Sequence, residues 1–295
     1  MNKHQIHQFW SNGFVVVESV VHKEFIEEAN RVLRSLIEAS RKVKSSDTIY
    51  DLSDQHNDRV PSVRRIKDPH LVDPIFDKIM RSKGVLDCVV ALLGPNLRME
   101  HSKLNIKQAN GGEAVEWHQD WAFYPHSNDD ILEVGVLLED CHEENGPLLM
   151  IPESHKGPVE NHHHPEGFFC GAIDIEKAFF DPNKAVSLTA KAGAITMHHV
   201  RMIHGSRSNQ SNRNRPILLI GYSAADAWPL RGISSIEEFD GRLICGQSQL
   251  PRLEKVPVRM PYPPAPAQGS IFENQRLVAG KSFQEKLRES KCKLD

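Results

Sequence analysis

Residues 193–222 have the sequence GAITMHHVRMIHGSRSNQSNRNRPILLIGY, in which two short apolar segments flank a stretch rich in turn-forming residues. Apolar segments of about four to eight residues, separated by Gly, Pro, Asn and Asp, are typical of the strands of a β-barrel or jelly roll. The same rhythm extends back to about residue 98. Its segments are Leu132–Leu138, Leu148–Ile151, Val186–Ala190, Ala194–His199 and Ile217–Tyr222. The sequence therefore predicts a mainly β core over residues 98–225.

The first 97 residues have a different periodicity. FWSNGFVVVE at residues 9–18 predicts a short helix, an Asn-Gly turn and a strand. Apolar residues at helical spacing predict amphipathic helices over Lys23–Val43 and Asp73–Leu93, whereas residues 45–61 are polar and aperiodic. We expect this helical N-terminal part, about residues 1–97, to support the β core.

Two further segments interrupt or follow the core. Residues 156–184 are too long for a plain hairpin loop and predict a lid or insertion. The proline-rich segment Pro251–Pro266 predicts an extended wrap, followed by a charged helix near Phe283–Lys293. We therefore expect a C-terminal wrap and helix over about residues 226–295. The whole chain, residues 1–295, is expected to form one domain, because a chain of this length can bury a single large core.

Composition excludes several classes of protein. Hydrophobic residues make up 39% and charged residues 25%, and the formal net charge is −3, as in ordinary globular enzymes. Lys and Arg are scattered, so no nucleic-acid partner is expected. No apolar run approaches the roughly 20 residues that span a bilayer, and the N-terminus lacks a signal-peptide core, so we expect a cytoplasmic protein without a membrane partner. The five cysteines contain no CxxC pair, which argues against a disulfide framework and a thiolate zinc site.

The tripeptide His118-Gln119-Asp120 brings together two metal-binding side chains. Residues two apart on a strand project from the same face, so one imidazole and one carboxylate can reach one cation. His204, at the end of a second predicted strand, can supply a third ligand. Two imidazoles and one carboxylate on one octahedral face leave three positions open, as in non-haem Fe(II) oxygenases. The alternative is that all three are ordinary polar residues, because one HxD can occur by chance among 16 histidines.

Arg215 follows His204 by eleven residues, beyond a segment rich in turn-forming residues. A hairpin would set it on the strand beside His204, and Pro216 biases it toward extended geometry. Its guanidinium could then hold the far end of a dicarboxylate through a bidentate pair. A surface ion pair is the alternative for an arginine at the start of a strand.

With these residues, the chain resembles the phytanoyl-CoA dioxygenase family of Fe(II)- and 2-oxoglutarate-dependent oxygenases. The resemblance is carried by FWSNGFVVVE at residues 9–18, LLGPNLRMEHSKLN at 92–105, WHQDW at 117–121, EENGPLLMIPESHKG at 143–157 and GAITMHHVRMIHGSRSNQSNRNRP at 193–216. It implies a double-stranded β-helix, that is a cupin-like jelly roll, with flanking α-helices. It also implies that O2 and 2-oxoglutarate are consumed to give succinate and CO2 while a small organic molecule is hydroxylated.

Carried over position by position, the resemblance implies roles for individual residues. Iron falls to His118, Asp120 and His204. The distal carboxylate of 2-oxoglutarate falls to Arg215, helped by Ser206.

Further pocket residues follow from a looser resemblance or from residue type. Lys103 and Arg65 are similar to cosubstrate-pocket positions of the family. The aromatic residues Trp121 and Tyr124, beside the HxD, could line the substrate cavity or belong to the core. Val136 stands where the family pattern has a tryptophan, so the shape of the substrate pocket is expected to differ.

The other histidines have supporting or structural interpretations. His198 and His199 come shortly before the third ligand, and we expect them to support the site or to pack beside it. His155 is expected to stabilise a turn. Consecutive residues cannot easily face one ion, so His162–His164 predict a solvated loop rather than a metal site.

Three other functions remain open on the sequence alone. A halogenase would need a small residue in place of the carboxylate ligand, and Asp120 argues against it. A desaturase or cyclase would use the same oxygenase chemistry. A jelly-roll binding or regulatory module would keep the fold without turnover, and iron-dependent conversion of 2-oxoglutarate to succinate distinguishes it from an enzyme. The sequence fixes neither the small-molecule substrate nor the oligomeric state.

Overall fold

The computed structural model describes residues 1–266, 269–278, 280 and 282–283. The α-helices within these residues are α1 (Lys3–Asn12), α2 (Lys23–Ala39), α3 (Pro69–Val72), α4 (Pro74–Met80), α5 (Lys83–Leu93), α6 (Ile236–Gly241) and α7 (Ile271–Gln275). The strands are β1 (Phe14–Val17), β2 (Tyr50–Leu52), β3 (Val63–Lys67), β4 (Leu97–Lys107), β5 (Val115–His118), β6 (Ile131–Leu137), β7 (Leu148–Met150), β8 (Val186–Leu188), β9 (Ile195–His199), β10 (His204–Ser206), β11 (Arg215–Ala224) and β12 (Leu243–Cys245). The helix predicted near Phe283–Lys293 lies outside the described residues, apart from its first position.

Two antiparallel sheets face each other. The larger sheet has the strand order β1-β9-β6-β11-β4-β3-β2, with β12 added beside β4. The smaller sheet has the order β5-β10-β7-β8. Side chains of both sheets line one common cavity, and helices pack against the outer face of the larger sheet. This arrangement confirms the predicted jelly roll with flanking helices.

Strand alternation divides the larger sheet into a helix-facing side and a cavity-facing side. On β11, Leu218 and Ile220 join the core beneath the helices, whereas Ile217 and Leu219 turn toward the smaller sheet. On β6 the even-numbered residues face the helices, and Val136 is fully buried among them. The prediction that Val136 shapes the substrate pocket is therefore wrong.

The N-terminal helix, turn and strand form as predicted. Gly13 ends α1 in the left-handed region at φ 87°, and its N–H donates to the carbonyl of Phe9 at 2.7 Å. A Cβ at this position would lie 2.0 Å from Met202 Sδ, so only glycine fits here without a shift of its neighbours. The turn directs β1 along β9, where the two strands pair in antiparallel register.

The two long predicted helices are shorter than their apolar periodicity suggested. The first ends at Ala39, and a 3₁₀ turn over Ser40–Lys42 follows. The second is two helices, because the extended backbone of Ser82 starts α5 as a separate element. The break changes the chain's direction while Met80 before it and Val85 after it both stay buried in one core. Apolar residues at helical spacing identify the buried face of a helix. They do not reveal a break between two helices, because the spacing continues almost unchanged across the break.

The insertion between β7 and β8 packs against the C-terminal segment. Phe169 donates its N–H to the carbonyl of Pro263 at 2.7 Å. The amide of Gln275 in α7 donates to the carbonyl of Gly171 at 2.8 Å and accepts from the N–H of Glu116 at 3.0 Å. The two segments thus cover the cavity between the sheets together. The four cysteines within the described residues, Cys88, Cys141, Cys170 and Cys245, are free thiols.

Candidate metal centre

His118 and His204 lie directly opposite each other where β5 pairs with β10. His118 is the last residue of β5 and His204 the first of β10, and their ring centres are 4.1 Å apart. Both side chains are almost fully buried. The pairing of two strands that are distant in sequence therefore brings two imidazoles to one point.

Asp120 completes the cluster from the short 3₁₀ turn that follows β5. Its carboxylate oxygens lie 3.6 Å from Nε2 of His204 and 3.9 Å from Nε2 of His118. The three potential ligand atoms all lie within 4.8 Å of one another, and all three residues are buried. The structure thus brings together the three residues that the HxD motif and the distal histidine predicted.

Backbone hydrogen bonds fix the orientation of both imidazoles. Nδ1 of His118 donates to the carbonyl of Glu116 at 2.7 Å, and Nδ1 of His204 donates to the carbonyl of Met202 at 3.0 Å. Because a carbonyl can only accept, each Nδ1 carries the proton and each Nε2 keeps its lone pair. Burial lowers the pKa of His118 well below the ordinary value and that of His204 to about 4. Both rings are therefore neutral at pH 7, as metal binding requires.

His198 of β9 supports the carboxylate. Its Nε2 lies 3.2 Å from Oδ2 of Asp120, and its ring centre lies 4.5 Å from that of His204. Burial raises the pKa of Asp120, but the nearby His204, His198 and Lys103 outweigh this effect and hold that pKa well below its usual value. The supporting position expected for His198 is thus seen. His199 faces away, beside Trp10 and His155.

Arg215 reaches the same cavity from the larger sheet. It begins β11, is 2% exposed, and donates from Nη2 to the carbonyl of Gly146 at 2.6 Å. Its Nε has no partner, and no carboxylate of the described residues lies within ion-pair distance. Ser206 lines the cavity as well, so the structure brings both predicted anchors of the cosubstrate into the chamber with the cluster. A buried cation without a counterion favours the binding of an anion.

Lys107, which the sequence analysis missed, lies directly across from Arg215 on β4. It is 7% exposed and donates from Nζ to the carbonyl of Glu113 at 2.6 Å. Burial, followed by the nearby Arg215, lowers its pKa well below the ordinary value. The sequence did contain a signal for Lys107. Lys103, Asn105 and Lys107 are spaced two apart, which puts them on one face of β4.

The space around these residues has two parts. The inner chamber, about 210 Å³, contains the three cluster residues, Arg215 and Ser206. The outer cleft, about 500 Å³, opens from it toward the surface. Asp120, Arg65 and Lys103 lie on the walls of both. The outer cleft is also lined by Phe123, Tyr124, Phe169, His101 and Arg231.

Arg65, Tyr124 and Trp121 were also predicted to line the pocket, and the structure places them in three different environments. Arg65 donates from Nε to Oδ1 of Asn105 at 2.9 Å. Tyr124 lines the outer cleft and donates its hydroxyl to Glu133 at 2.8 Å. Trp121 is 1% exposed in a core cluster and donates its indole N–H to the carbonyl of Pro257 at 2.8 Å. The structure therefore does not bring Trp121 to the wall of either space among the described residues.

The histidine-rich loop is buried rather than solvated, so the sequence prediction was wrong. His162 and His163 are 2% and 7% exposed. Nε2 of His162 accepts from the N–H of Gln119 at 2.9 Å, and Nδ1 donates to the carbonyl of Glu160 at 2.8 Å. His162 thus fixes the backbone between the two residues of the HxD motif. A polar sequence could not reveal this, because the partners of the loop lie more than 40 residues away.

Comparisons with known proteins show the family and the fold. A family model described as Phytanoyl-CoA dioxygenase (PhyH) matches residues 9–217. A probable alpha-ketoglutarate-dependent hypophosphite dioxygenase of Stutzerimonas stutzeri is 36% identical over 95% of this chain and 99% of that protein. An L-proline trans-4-hydroxylase of Streptomyces griseoviridis is 29% identical over 57% of this chain and 70% of that protein. The crystal structure of iron-bound EctD from S. alaskensis, 22% identical, matches the fold with a TM-score of 0.64 over 88% of each chain.

One further observation concerns membranes. Within the described part of the chain, no helix combines the length and the apolar character that crossing a bilayer would need.

Proposed function

Because the chain belongs to the phytanoyl-CoA dioxygenase family, we propose that His118, Asp120 and His204 hold the Fe(II) ion of this 2-oxoglutarate-dependent dioxygenase. The enzyme uses Fe(II), 2-oxoglutarate and O2, in agreement with the sequence prediction. The observation that carries the residue assignment is the convergence of three buried ligand atoms within 4.8 Å.

The donor set fits Fe(II). Two neutral imidazoles and one carboxylate are the ligands of the facial triad, and the absence of a thiolate argues against the softer metals. The cluster lies at the junction of two open spaces, so cosubstrate and substrate can approach it from different sides. A site closed by four protein ligands would leave no room for either.

We assign the distal carboxylate of 2-oxoglutarate to Arg215 and Ser206, and Lys107, the partner of Arg215 on β4, lines the same chamber. The support is that Arg215 is buried, keeps Nε unpaired and shares the inner chamber with the metal-ligand cluster. A bidentate guanidinium–carboxylate pair would satisfy this group. Arg65 and Lys103 lie where the two spaces meet, and their contact with the cosubstrate stays a prediction.

The bound metal supplies the oxidising chemistry, which couples the oxidation of 2-oxoglutarate to succinate and CO2 with hydroxylation of the substrate. The protein's residues provide placement and a dry environment. The carbonyls of Glu116 and Met202 hold both imidazoles in the tautomer that presents Nε2. His198 holds one oxygen of Asp120 and leaves the other for the metal.

The names of two relatives indicate how varied the substrates of similar enzymes are, since hypophosphite is an inorganic oxyanion and L-proline an amino acid. We propose hydroxylation of a small molecule that enters through the outer cleft. Desaturation or ring closure would use the same residues.

A direct experiment follows the cosubstrate. The purified protein is loaded anaerobically with Fe(II), and succinate is quantified after addition of 2-oxoglutarate and O2, for the parent, His118→Ala and Arg215→Leu. We expect slow succinate formation in the parent even without substrate, and losses of at least tenfold in both variants. A parent that forms no succinate and binds neither Fe(II) nor 2-oxoglutarate would refute the proposed function.

A further inference from the structure

The outer cleft is rich in basic side chains. Arg65, Lys103, His101 and Arg231 lie along its walls, and all but Arg231 project from the strands β3 and β4. Asp120 is the only acidic residue among its described lining residues. As a metal ligand, Asp120 is neutralised by the cation it binds. A cleft with this lining attracts anions and disfavours cations.

Glu133 is a buried carboxylate beside the cleft and is engaged through Oε1. It is 1% exposed, accepts the hydroxyl of Tyr124 at 2.8 Å, and lies 2.5 Å from Nε2 of His101. Burial raises its pKa, but the nearby His101 and Lys103 outweigh burial and bring the pKa to about 2. Glu133 is thus paired with His101, and Arg65, Lys103 and Arg231 remain as the basic side chains along the cleft.

Lys103 lies between the outer cleft and the candidate metal centre. It lines both the inner chamber and the outer cleft, and neither a hydrogen bond nor an ion pair to another described residue holds its ammonium group. Lys67, its neighbour across the strand pair, is held by the carbonyl of Asp47 at 2.6 Å. Arg231, at the exposed rim, donates two long hydrogen bonds, to the carbonyl of Phe123 and the hydroxyl of Tyr262, both at 3.3 Å, and its guanidinium lies 5.4 Å from the ring centre of Tyr262.

The rest of the cleft wall is aromatic. Phe123 and Phe169 pack edge to face with ring centres 5.1 Å apart, and Tyr124 lies on the same wall. Gly171 permits this arrangement, because a Cβ there would lie 2.6 Å from the ring of Phe123. With a volume of about 500 Å³, the cleft is in the range of sites for organic ligands. A small inorganic ion would make little contact with these rings.

We propose that the substrate is a small organic oxyanion whose phosphonate or carboxylate head binds at Lys103. Arg231 attracts this head at the rim, and the carbon skeleton lies against Phe123, Tyr124 and Phe169. The inference deepens the proposed function and rests on it. The carbon next to the head is then closest to the metal, and its C–H bond is converted to C–OH. One O2 and one 2-oxoglutarate are consumed, and one oxygen atom enters the product while the other enters succinate.

The experiment compares substrates of matched size. The iron-loaded enzyme receives 2-oxoglutarate, O2 and one of five compounds: propylphosphonate, butyrate, butanol, butylamine or hypophosphite. Succinate is quantified, and products with one added oxygen are sought by mass spectrometry. We expect at least one organic anion to raise succinate formation tenfold or more over the substrate-free rate, with butanol and butylamine without effect. The difference between propylphosphonate and butyrate identifies the head group.

Other outcomes contradict the inference. Equal stimulation by butanol or butylamine would show that charge does not select the substrate, and hypophosphite exceeding both organic anions would refute the organic part. If no anion stimulates while substrate-free succinate formation and anaerobic binding of 2-oxoglutarate are normal, this inference fails and the proposed function stands. If those basal properties are absent as well, the proposed function fails.

Variants locate the anion. Lys103→Met should raise the KM for the stimulating anion at least tenfold, and by a larger factor than it raises the anaerobic Kd for 2-oxoglutarate. Arg231→Gln, at an exposed position that does not endanger folding, should raise the same KM about threefold or more. Lys23→Met, on α2 with its side chain 88% exposed, is the control and should leave both constants unchanged. Unchanged KM values in both cleft variants, or an equal loss of 2-oxoglutarate affinity in Lys103→Met, would overturn the assignment.

Discussion

His204 faces His118 as its direct partner across two antiparallel strands, although 86 positions separate them in the sequence. Each imidazole is held by the carbonyl two residues before it, at 2.7 Å for His118 and 3.0 Å for His204. The cluster is thus preorganised by the backbone, and the core of the jelly roll lies elsewhere. Loss of a ligand should therefore affect the metal much more than the fold.

We predict that His118→Ala, Asp120→Ala and His204→Ala each reduce Fe(II) affinity at least 100-fold, because each removes one bond to the ion. The melting temperature of the metal-free protein should change by only a few degrees. Anaerobic Fe(II) titration and thermal unfolding measure the two properties. Full retention of Fe(II) affinity in any one variant would remove that residue from the ligand set.

His198→Ala should weaken Fe(II) binding by about 10–100-fold, since loss of a group that orients a metal ligand typically has this effect. The physical reason is the 3.2 Å contact between His198 and Asp120, which fixes the carboxylate. The same titration checks it, with His4→Ala on the exposed face of α1 as control. Equal affinities for His198→Ala and His4→Ala would show that His198 merely fills space.

Arg215→Leu should weaken 2-oxoglutarate binding by roughly two to four decades, which corresponds to the about 3–5 kcal/mol lost when a buried charged pair is broken. Arg215→Lys should be impaired less, because an ammonium group cannot form the bidentate pair. Fe(II) affinity should barely change. Anaerobic titration with 2-oxoglutarate measures the effect.

Arg207 and Arg213 provide controls for Arg215, because both are exposed. Their replacement by Leu should change the affinity for 2-oxoglutarate less than about tenfold. Arg201 is less suitable, since it forms an ion pair with Asp129 at 3.0 Å in which both side chains are mostly buried. Tight binding of 2-oxoglutarate by Arg215→Leu would place the carboxylate partner elsewhere, with Lys107, Arg65 and Lys103 as the next residues to test.

Gly13→Ala should destabilise the protein by about 1–3 kcal/mol from overpacking, in addition to backbone strain of about 1 kcal/mol. The added Cβ would meet Met202 Sδ at 2.0 Å, and the carbonyl of Met202 orients His204, so Fe(II) affinity should fall too. Gly232→Ala is the matched control, because its φ is +85° and nothing lies within 4 Å of the added atom. Equal losses in urea unfolding would exclude a role for the contact with Met202.

The sequence alone was sufficient to select the candidate metal ligands and to predict the type of fold. The spacing of two in the HxD motif predicted that both side chains reach one cation by strand alternation. In the structure only His118 lies on the strand, and Asp120 reaches the same point from the 3₁₀ turn that follows. The distal histidine and Arg215 were found from their order and spacing. The rhythm of short apolar segments predicted a β-barrel or jelly roll, because each strand buries one face whatever its partner is. The family resemblance then implied the double-stranded β-helix.

The tertiary structure alone decided which residues share a space. Sheet register made Lys107 the partner of Arg215, and register depends on pairing between segments that are far apart in sequence. The turn after β5 sent Trp121 into the core, while Tyr124, three residues later, reached the outer cleft. His162, predicted from the sequence to lie in a solvated loop, is buried and accepts the backbone N–H of Gln119 within the HxD motif. The sequence did not reveal the basic lining of the outer cleft, because Lys103 and Arg231 are far apart in the chain. Folding brings their side chains to one cleft, and the charge of a cleft is the sum over the side chains that line it.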